Sequence, residues 1–562
     1  MRADGESGTA AGSPSAAGGS EPEFDFIVIG SGFGGSVAAL RLTQKGYRVL
    51  LLEKGRRLRE EDFPRSNWNL RRWMWVPWLG FRGLFKMTFL RHVTVLSGVG
   101  VGGGSLVYAN TLPIPKDAFF TGGSWAGLAD WRRELEPHYR EARRMLGAAP
   151  NPYLGFADEQ LAEIGEELGR GDHFAPADVA VHFGRPGETV DDPYFDGEGP
   201  ERTGCVQCGG CMLGCRFGSK NTLDRNYLYL AEKRGLDLRA DTEVTAVRER
   251  AGGGYRVEAR AGTGLLGTGA FRRRTAFTAR KVVFAGGVLG TVDLLARMKA
   301  DPRGLPRLSD RVGDLVRTNS ESLIGVIAGK RDVDHSKGIA ISSILHTDEH
   351  SHVEPVRYPK GSGFFRTLMV PHVPGDTAVT RLFGLVRYVL RHPLRVLRAV
   401  TVPDLSRSTT VLLYMRSLEG TLSFRRGRGL LTGMRRGLRS RLTDAEAPSA
   451  SIPEATEIAR RFADRTDGQP MSLATETLAG IPTTAHILGG ACIGASPAEG
   501  VIDARHRVFG HEGLWVVDGA AISANPGVNP SLSITAMAER AMSLVPPRSA
   551  LRGASEGGAD AR

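Results

Sequence analysis

The stretch from Phe24 to Gly55 constrains this chain more than any other. Phe24 to Ile29 is short, apolar and rich in β-branched residues, the composition of a buried strand. It runs into Gly30-Ser31-Gly32-Phe33-Gly34-Gly35 and then into a helical pattern through Val37, Leu40 and Leu42. Gly46 closes that helix, Tyr47 to Leu52 reads as a second apolar strand, and Glu53 follows. Strand, glycine turn, helix, strand and acid in this register form a dinucleotide-binding unit. Gly30 serves the tight turn, Gly32 lets backbone approach a pyrophosphate, and Gly35 allows close helix–strand packing. The helix N-terminus offers free N–H groups to phosphate, and an acid at the position of Glu53 accepts ribose hydroxyls.

A chain of 562 residues requires more than one domain around such a unit. Hydrophobic residues make up 41% and charged ones 24%, ordinary values for a globular protein, and no apolar run is long enough to span a bilayer. Residues 1–23 are rich in Gly, Ala and Ser and carry no basic start or apolar run, so they read as a disordered tail rather than a signal peptide; residues 548–562 read likewise as a tail. Five cysteines in so long a chain point to a reducing compartment, and the expected location is cytoplasmic. The net charge of +12 calls for an anionic partner, either nucleic acid or a membrane surface.

Trp68, Trp73, Trp75 and Trp78 alternate with Arg71, Arg72, Arg82 and Lys86, which suits a membrane interface, a base-stacking surface, or an arm packed on the protein itself. Residues 125–147 look helical, with Pro137 predicting a kink or two shorter helices. Arg381 to Val400 is basic and amphipathic: Leu382, Leu385, Val386, Val389 and Leu390 fall on one stripe, Arg387, Arg391, Arg395 and Arg398 on another, and Pro393 interrupts the pattern. Such a segment suits anionic lipid or a solvated face of an ordinary helix. Cys205, Cys208, Cys211 and Cys215 have ferredoxin-like spacing. Arg216 stands where that run has proline, and no second run exists, so a metal-free structural turn is favoured over an iron–sulfur cluster.

A second glycine-rich loop, Leu96 to Leu106, is more than a simple NAD dehydrogenase needs. Gly102-Gly103-Gly104-Ser105, followed by Val107 and Asn110, resembles the flavin-contacting loop of the glucose–methanol–choline (GMC) oxidoreductases. Asp241 to Arg248, centred on Val244, resembles the adenine-contacting strand of two-dinucleotide-fold flavoproteins, and Lys281 to Gly287 resembles the GMC family's return strand, which brings Ala285 and Gly286 to the cofactor. His486 before Leu488-Gly489-Gly490, the Asp518-Gly519 pair, and Val528-Asn529-Pro530 ahead of a final helix match the family's C-terminal pattern. The resemblance covers Phe24 to Pro546, is strongest at the cofactor segments, and is nearest to the family's cholesterol-oxidising bacterial members.

The resemblance implies an α/β protein: a Rossmann-like FAD-binding domain with a discontinuous α+β substrate domain built on an antiparallel sheet. The expected division is 24–310 and 485–547 for FAD and 311–484 for substrate. It further implies oxidation of a hydrophobic alcohol, a 3β-hydroxysteroid such as cholesterol, with oxygen reduced to hydrogen peroxide. The alternative is a dehydrogenase of another lipid alcohol that passes electrons to a quinone or an iron–sulfur acceptor. His486 and Asn529 would manage the hydroxyl proton. Glu354, within His352-Val353-Glu354-Pro355-Val356, would shift the steroid double bond, or else be a surface acid on a proline-bearing edge strand. His506 and His511 lack any such context and are expected at the surface. Two FAD-type glycine loops argue against a nucleic-acid- or membrane-binding protein built on a nucleotide-fold scaffold; the expected partners are the sterol, oxygen and a peripheral membrane surface, with no nucleic acid.

Overall fold

The computed structural model describes residues 22–329, 332–375, 377–443 and 448–550. The expected tails fall mostly outside it. Residues 548–550 are an exception, for Arg548 is held at its backbone by Lys45 O and at its side chain by Asp25.

Strand β1 (Phe24–Ile29), helix α1 (Phe33–Gln44) and strand β2 (Val49–Leu52) form the predicted unit, with β1 and β2 parallel and almost wholly buried. Strand Asp237–Arg239 extends the sheet beyond β2. On the other edge of β1 lies Arg273–Phe284, longer than the sequence suggested. The first half of that strand pairs antiparallel with Tyr255–Ala261, itself paired with Thr242–Glu249. The second half takes Leu514–Val516 in parallel. One strand therefore ties the N-terminal unit, a middle hairpin and the C-terminal segment into one sheet.

That sheet depends on missing side chains at the β1–α1 turn. A Cβ on Gly34 would lie 1.9 Å from the carbonyl oxygen of Val517, and one on Gly30, whose φ is +102°, would lie 2.3 Å from that of Ala285. Both obstacles are backbone and cannot swing aside, so overpacking here would cost at least about 1–3 kcal/mol.

The second large sheet is antiparallel throughout. Its order is Met369–Pro371, Gln469–Leu473, Ser322–Ile327, Thr409–Arg416, Ser351–Val356, Ser343–Leu345 and Phe174–Pro176. Helices Phe156–Glu167 and Pro453–Thr466 cover one face through Leu161, Ile164, Ile458 and Phe462. Ser351–Val356 is an interior strand, so the edge-strand alternative for Glu354 does not hold. Pro355 is tolerated because the neighbouring strand Ser343–Leu345 pairs with it only at Leu345–Val353, before the missing N–H is reached.

Other expectations change as well. Trp131–Met145 is a single helix despite Pro137. Its packing on helix Ser531–Ser543 holds it, with Tyr139 Oη 2.7 Å from Ser533 Oγ and Arg540 paired to Glu134. His506 and His511 are buried, not at the surface. The first bonds the Val516 carbonyl through Nδ1 at 2.9 Å and the second Glu249 at 2.8 Å, so each ring is held at one nitrogen inside the protein. The tryptophan-rich stretch divides. Trp73 is fully buried and stacked on Phe85 at 4.7 Å, whereas Trp78 is 73% exposed. No helix among the described residues is long and apolar enough to cross a membrane.

Candidate active site

The two sheets enclose a cavity of about 370 Å³. Gly32, Phe33, Gly34 and Gly104 of the glycine loops wall one side, with Ala285, Asp518, Gly519 and Pro530 beside them. The antiparallel sheet walls another through Leu323, Val411 and Leu413. His486 and Asn529 both face this space.

The glycine loops are joined by a residue that the sequence did not single out. Ser31 Oγ donates to Glu53 Oε2 at 2.8 Å and receives the Gly102 N–H at 3.1 Å. Glu53 also takes the N–H of Ser31 at 3.1 Å and of Gly55 at 2.8 Å. Ser31 lay hidden in the motif because any small residue satisfies that position. Gly103 lies against Gly32, where its Cβ would meet the Cα at 2.7 Å, and the Ser105 hydroxyl accepts the Leu223 N–H at 3.0 Å. Gly35 packs on Gly30 O, 2.0 Å from where its Cβ would be, whereas a Cβ on Gly32 would meet nothing within 4 Å.

Backbone is thus bare toward the cavity at Gly32, where α1 begins, and the polypeptide fills the space around Gly30, Gly34 and Gly35. An anionic pyrophosphate fits that cradle, with the helix terminus supplying N–H groups. FAD fits these residues. Gly286 caps helix Gly287–Lys299 and donates to Thr291 Oγ1 at 3.1 Å; that hydroxyl in turn donates to Asp518 at 2.5 Å. Burial pushes Asp518 up to about 6. Asn110 is fully buried with φ of +74°, and Val244 sits at an irregular step of its strand. Neither belongs to the cavity wall, nor do Glu53, Gly102, Gly103, Ser105 and Gly286, which support it from behind.

His486 follows the short strand Thr483–Thr484 and precedes Gly489 and Gly490, both with positive φ. Its N–H donates to Thr484 Oγ1 at 2.8 Å, and its Nδ1 lies 2.9 Å from Glu321 Oε2. Burial opposes charge on the ring, but the Glu321 carboxylate outweighs it, with Glu354 adding to the effect, and holds His486 above the ordinary histidine value. Asn529 opens the final helix and donates from Nδ2 to Glu354 Oε2 at 3.2 Å, while its Oδ1 has no partner in the chain. Glu354 is fully buried behind Asn529, with His352 Nε2 at 3.4 Å, and does not itself wall the cavity; Val356, two residues on, does. Glu321 was missed in the sequence because it lies in the polar run Thr318-Asn319-Ser320-Glu321-Ser322, which reads as a loop but is buried throughout.

The four cysteines of the run line a separate small cavity with Ser219 and Lys220, and all are free thiols. Among the described residues no group of His, Cys, Asp or Glu is arranged to hold a metal ion. Buried Lys220 donates to the carbonyls of Tyr108 at 2.9 Å and Cys211 at 2.7 Å, tying the cysteine turn to the segment after the second glycine loop.

Beside Glu321 stands Glu476, buried at the start of helix Ala474–Ala479 and pushed up to about 8 by desolvation. In the folded protein it keeps a proton that an unfolded chain releases near pH 4.5, so stability is greatest at low pH and is lost as pH rises toward 8. Glu476→Gln should remove that loss: thermal melts across pH 5–9 should diverge from the parent most at the alkaline end, with the variant the more stable.

The sequence profile described as GMC oxidoreductase matches residues 423–538, and that described as FAD dependent oxidoreductase matches residues 25–343. A cholesterol oxidase of Acinetobacter baumannii is 42% identical over 94% of this chain and 95% of its own. One of Mycobacterium tuberculosis is 46% identical over 94% of this chain and 92% of its own. A pyridoxine 4-oxidase crystal structure shares the fold, with a TM-score of 0.59 at 15% identity over 92% of this chain and 98% of that one. With its paired glycine loops, return strand and C-terminal histidine–asparagine pair, the chain belongs to the GMC oxidoreductases, a family of FAD-dependent enzymes.

Proposed function

We propose that this chain oxidises the 3β-hydroxyl of a sterol to the ketone and reduces oxygen to hydrogen peroxide. The observation that carries the reading is a cavity walled mostly by apolar side chains, with His486 and Asn529 as polar groups beside the flavin loops, in a chain 42–46% identical to cholesterol oxidases. FAD, when bound, supplies the hydride acceptor. His486 takes the hydroxyl proton, and Asn529 offers its unpartnered amide oxygen to orient the carbinol. Glu354 is the acid that moves the steroid double bond; it stands one residue back from the wall, so it acts where Asn529 turns aside.

His486→Ala should slow anaerobic bleaching of the flavin by cholesterol by about 100-fold or more, while the protein stays folded and yellow. An unchanged rate would refute the role. Glu354→Gln should leave bleaching near the parent rate yet release the unisomerised 5-ene ketone, resolved from the 4-ene product by chromatography. Loss of both steps together, or of neither, would remove Glu354 as the shuttle.

Sterols reside in lipid, and helices Ala378–Arg391 and Pro393–Thr401 provide a surface for it. Phe383, Leu390 and Leu394 are each at least 67% exposed, and Arg387, Arg391, Arg395 and Arg398 flank them. Ala399 packs beside Met369 and Met471, and Met369 walls the cavity, so the apolar surface adjoins the substrate's space. We propose that this helix pair seats the enzyme on anionic membranes. The protein should cosediment with phosphatidylserine-containing vesicles and be released as salt rises. Equal recovery with neutral vesicles would count against it.

A further inference from the structure

Glu321 is not part of any motif and stands 165 positions from His486 in sequence, yet its carboxylate is the closest charged group to the ring. Its Oε2 lies 2.9 Å from His486 Nδ1, and its Oε1 accepts the hydroxyl of Thr484. The same hydroxyl accepts the His486 backbone N–H at 2.8 Å. Carboxylate, threonine and histidine therefore close a three-membered clip. Thr484 is anchored in turn by pairing with Val95, and Glu321 by the buried run that leads into strand Ser322–Ile327.

The clip has one chemical consequence. An ionised carboxylate can only accept, so the nitrogen facing it must carry the proton. Neutral imidazole has a single N–H, which leaves Nε2 with a bare lone pair. We infer that Glu321 is the positioning residue of this enzyme, holding His486 in the one tautomer and direction that can take the alcohol proton. The inference rests on the reading of His486 as base. In the step itself the hydroxyl O–H breaks and its proton passes to Nε2. The carbinol C–H pair would leave as hydride to the acceptor that FAD would supply, as the C=O bond forms. The imidazolium, neutralised by Glu321, keeps its proton until oxygen reduction consumes it.

The groups that act on this pair come from two other elements. Glu476, from helix Ala474–Ala479, faces Glu321, and Glu354, from strand Ser351–Val356, acts on the ring. Glu476 retains its proton at neutral pH, so it adds no second negative charge beside Glu321.

The test uses FAD-loaded enzyme and cholesterol in detergent, with anaerobic flavin bleaching followed from pH 5 to 9. Glu321→Gln presents an amide that can donate to Nδ1 and reverse the tautomer, so bleaching should slow by about 100-fold or more. Its FAD content and half-saturating cholesterol concentration should stay near parent values. The limb of the pH profile that reports His486 should move to lower pH, because the charge that favoured the imidazolium is gone. Glu321→Asp should restore part of the rate, and Thr484→Val, which opens the clip but keeps both partners, should fall between. Should Glu321→Gln fail to fold, a parent-like rate and limb in both Glu321→Asp and Thr484→Val would overturn the inference, and graded losses would uphold it. A parent rate and unshifted limb in Glu321→Gln would overturn it; so would a loss fully explained by missing FAD. If His486→Ala itself bleaches at the parent rate, the underlying reading of the base has failed instead.

Discussion

Backbone pressed directly on backbone at the first glycine turn is the constraint on which the rest of this structure depends. Gly34 meets the carbonyl of Val517, Gly30 that of Ala285, and Gly35 that of Gly30, each at a distance that no side chain permits. These contacts join segments from the start, the middle and the end of the chain. They bring Asp518 and Asn529 to the same opening as Gly32. The geometry of the site is set by carbonyls and Cα atoms, which move little, more than by side chains that could repack. Hence the wall can stay mostly apolar while Glu321, His486, Asp518 and Asn529 are brought to it from separate parts of the chain.

Charge is buried beneath that site in several places, and each instance is compensated differently. Glu321 has His486 and Thr484; Lys220 has carbonyls and the face of the Tyr108 ring, and burial draws it down to about 7. Arg317, almost wholly buried, donates to the Ile522 carbonyl at 3.0 Å and pairs with Glu419. Glu476 gives up its charge instead. Buried ionic groups add little net stability against apolar replacements of the same shape. What they do supply here is direction, since a carboxylate with two fixed donors cannot rotate.

The parts of the fold that could be read in the sequence were those whose signal is local. β1, the glycine turn, α1 and β2 have their boundaries written in consecutive residues, and so does the break at Pro393. The pairing of His486 with an asparagine ahead of the final helix came from resemblance, not from spacing. What stayed hidden was non-local. Nothing near Glu321 announces a histidine, because the contact is made only when strand Ser322–Ile327 and the segment after Thr484 are brought together. His506 and His511 read as surface residues since they lie in a polar stretch, while their partners, Val516 and Glu249, stand in strands whose pairing that stretch does not announce. Pro137 does not divide its helix for the opposite reason: a local rule was overridden by packing along it.

The strand Leu514–Val516 lies beside Val282–Phe284, and the next residue seals the glycine turn. A ribosome adding about 5–20 residues per second delivers it about 25–100 seconds after β1. Through that interval the nascent chain holds β1, β2 and Arg273–Phe284 with one edge unfilled and the seat for the cofactor unfinished. An open apolar strand edge is a template for pairing with other chains. Production of this protein in a foreign host is therefore a race between completing synthesis and aggregation, and slower elongation lengthens the exposure. Residues 514–517 act as a closing stitch, made after every other strand of the sheet has already been laid down.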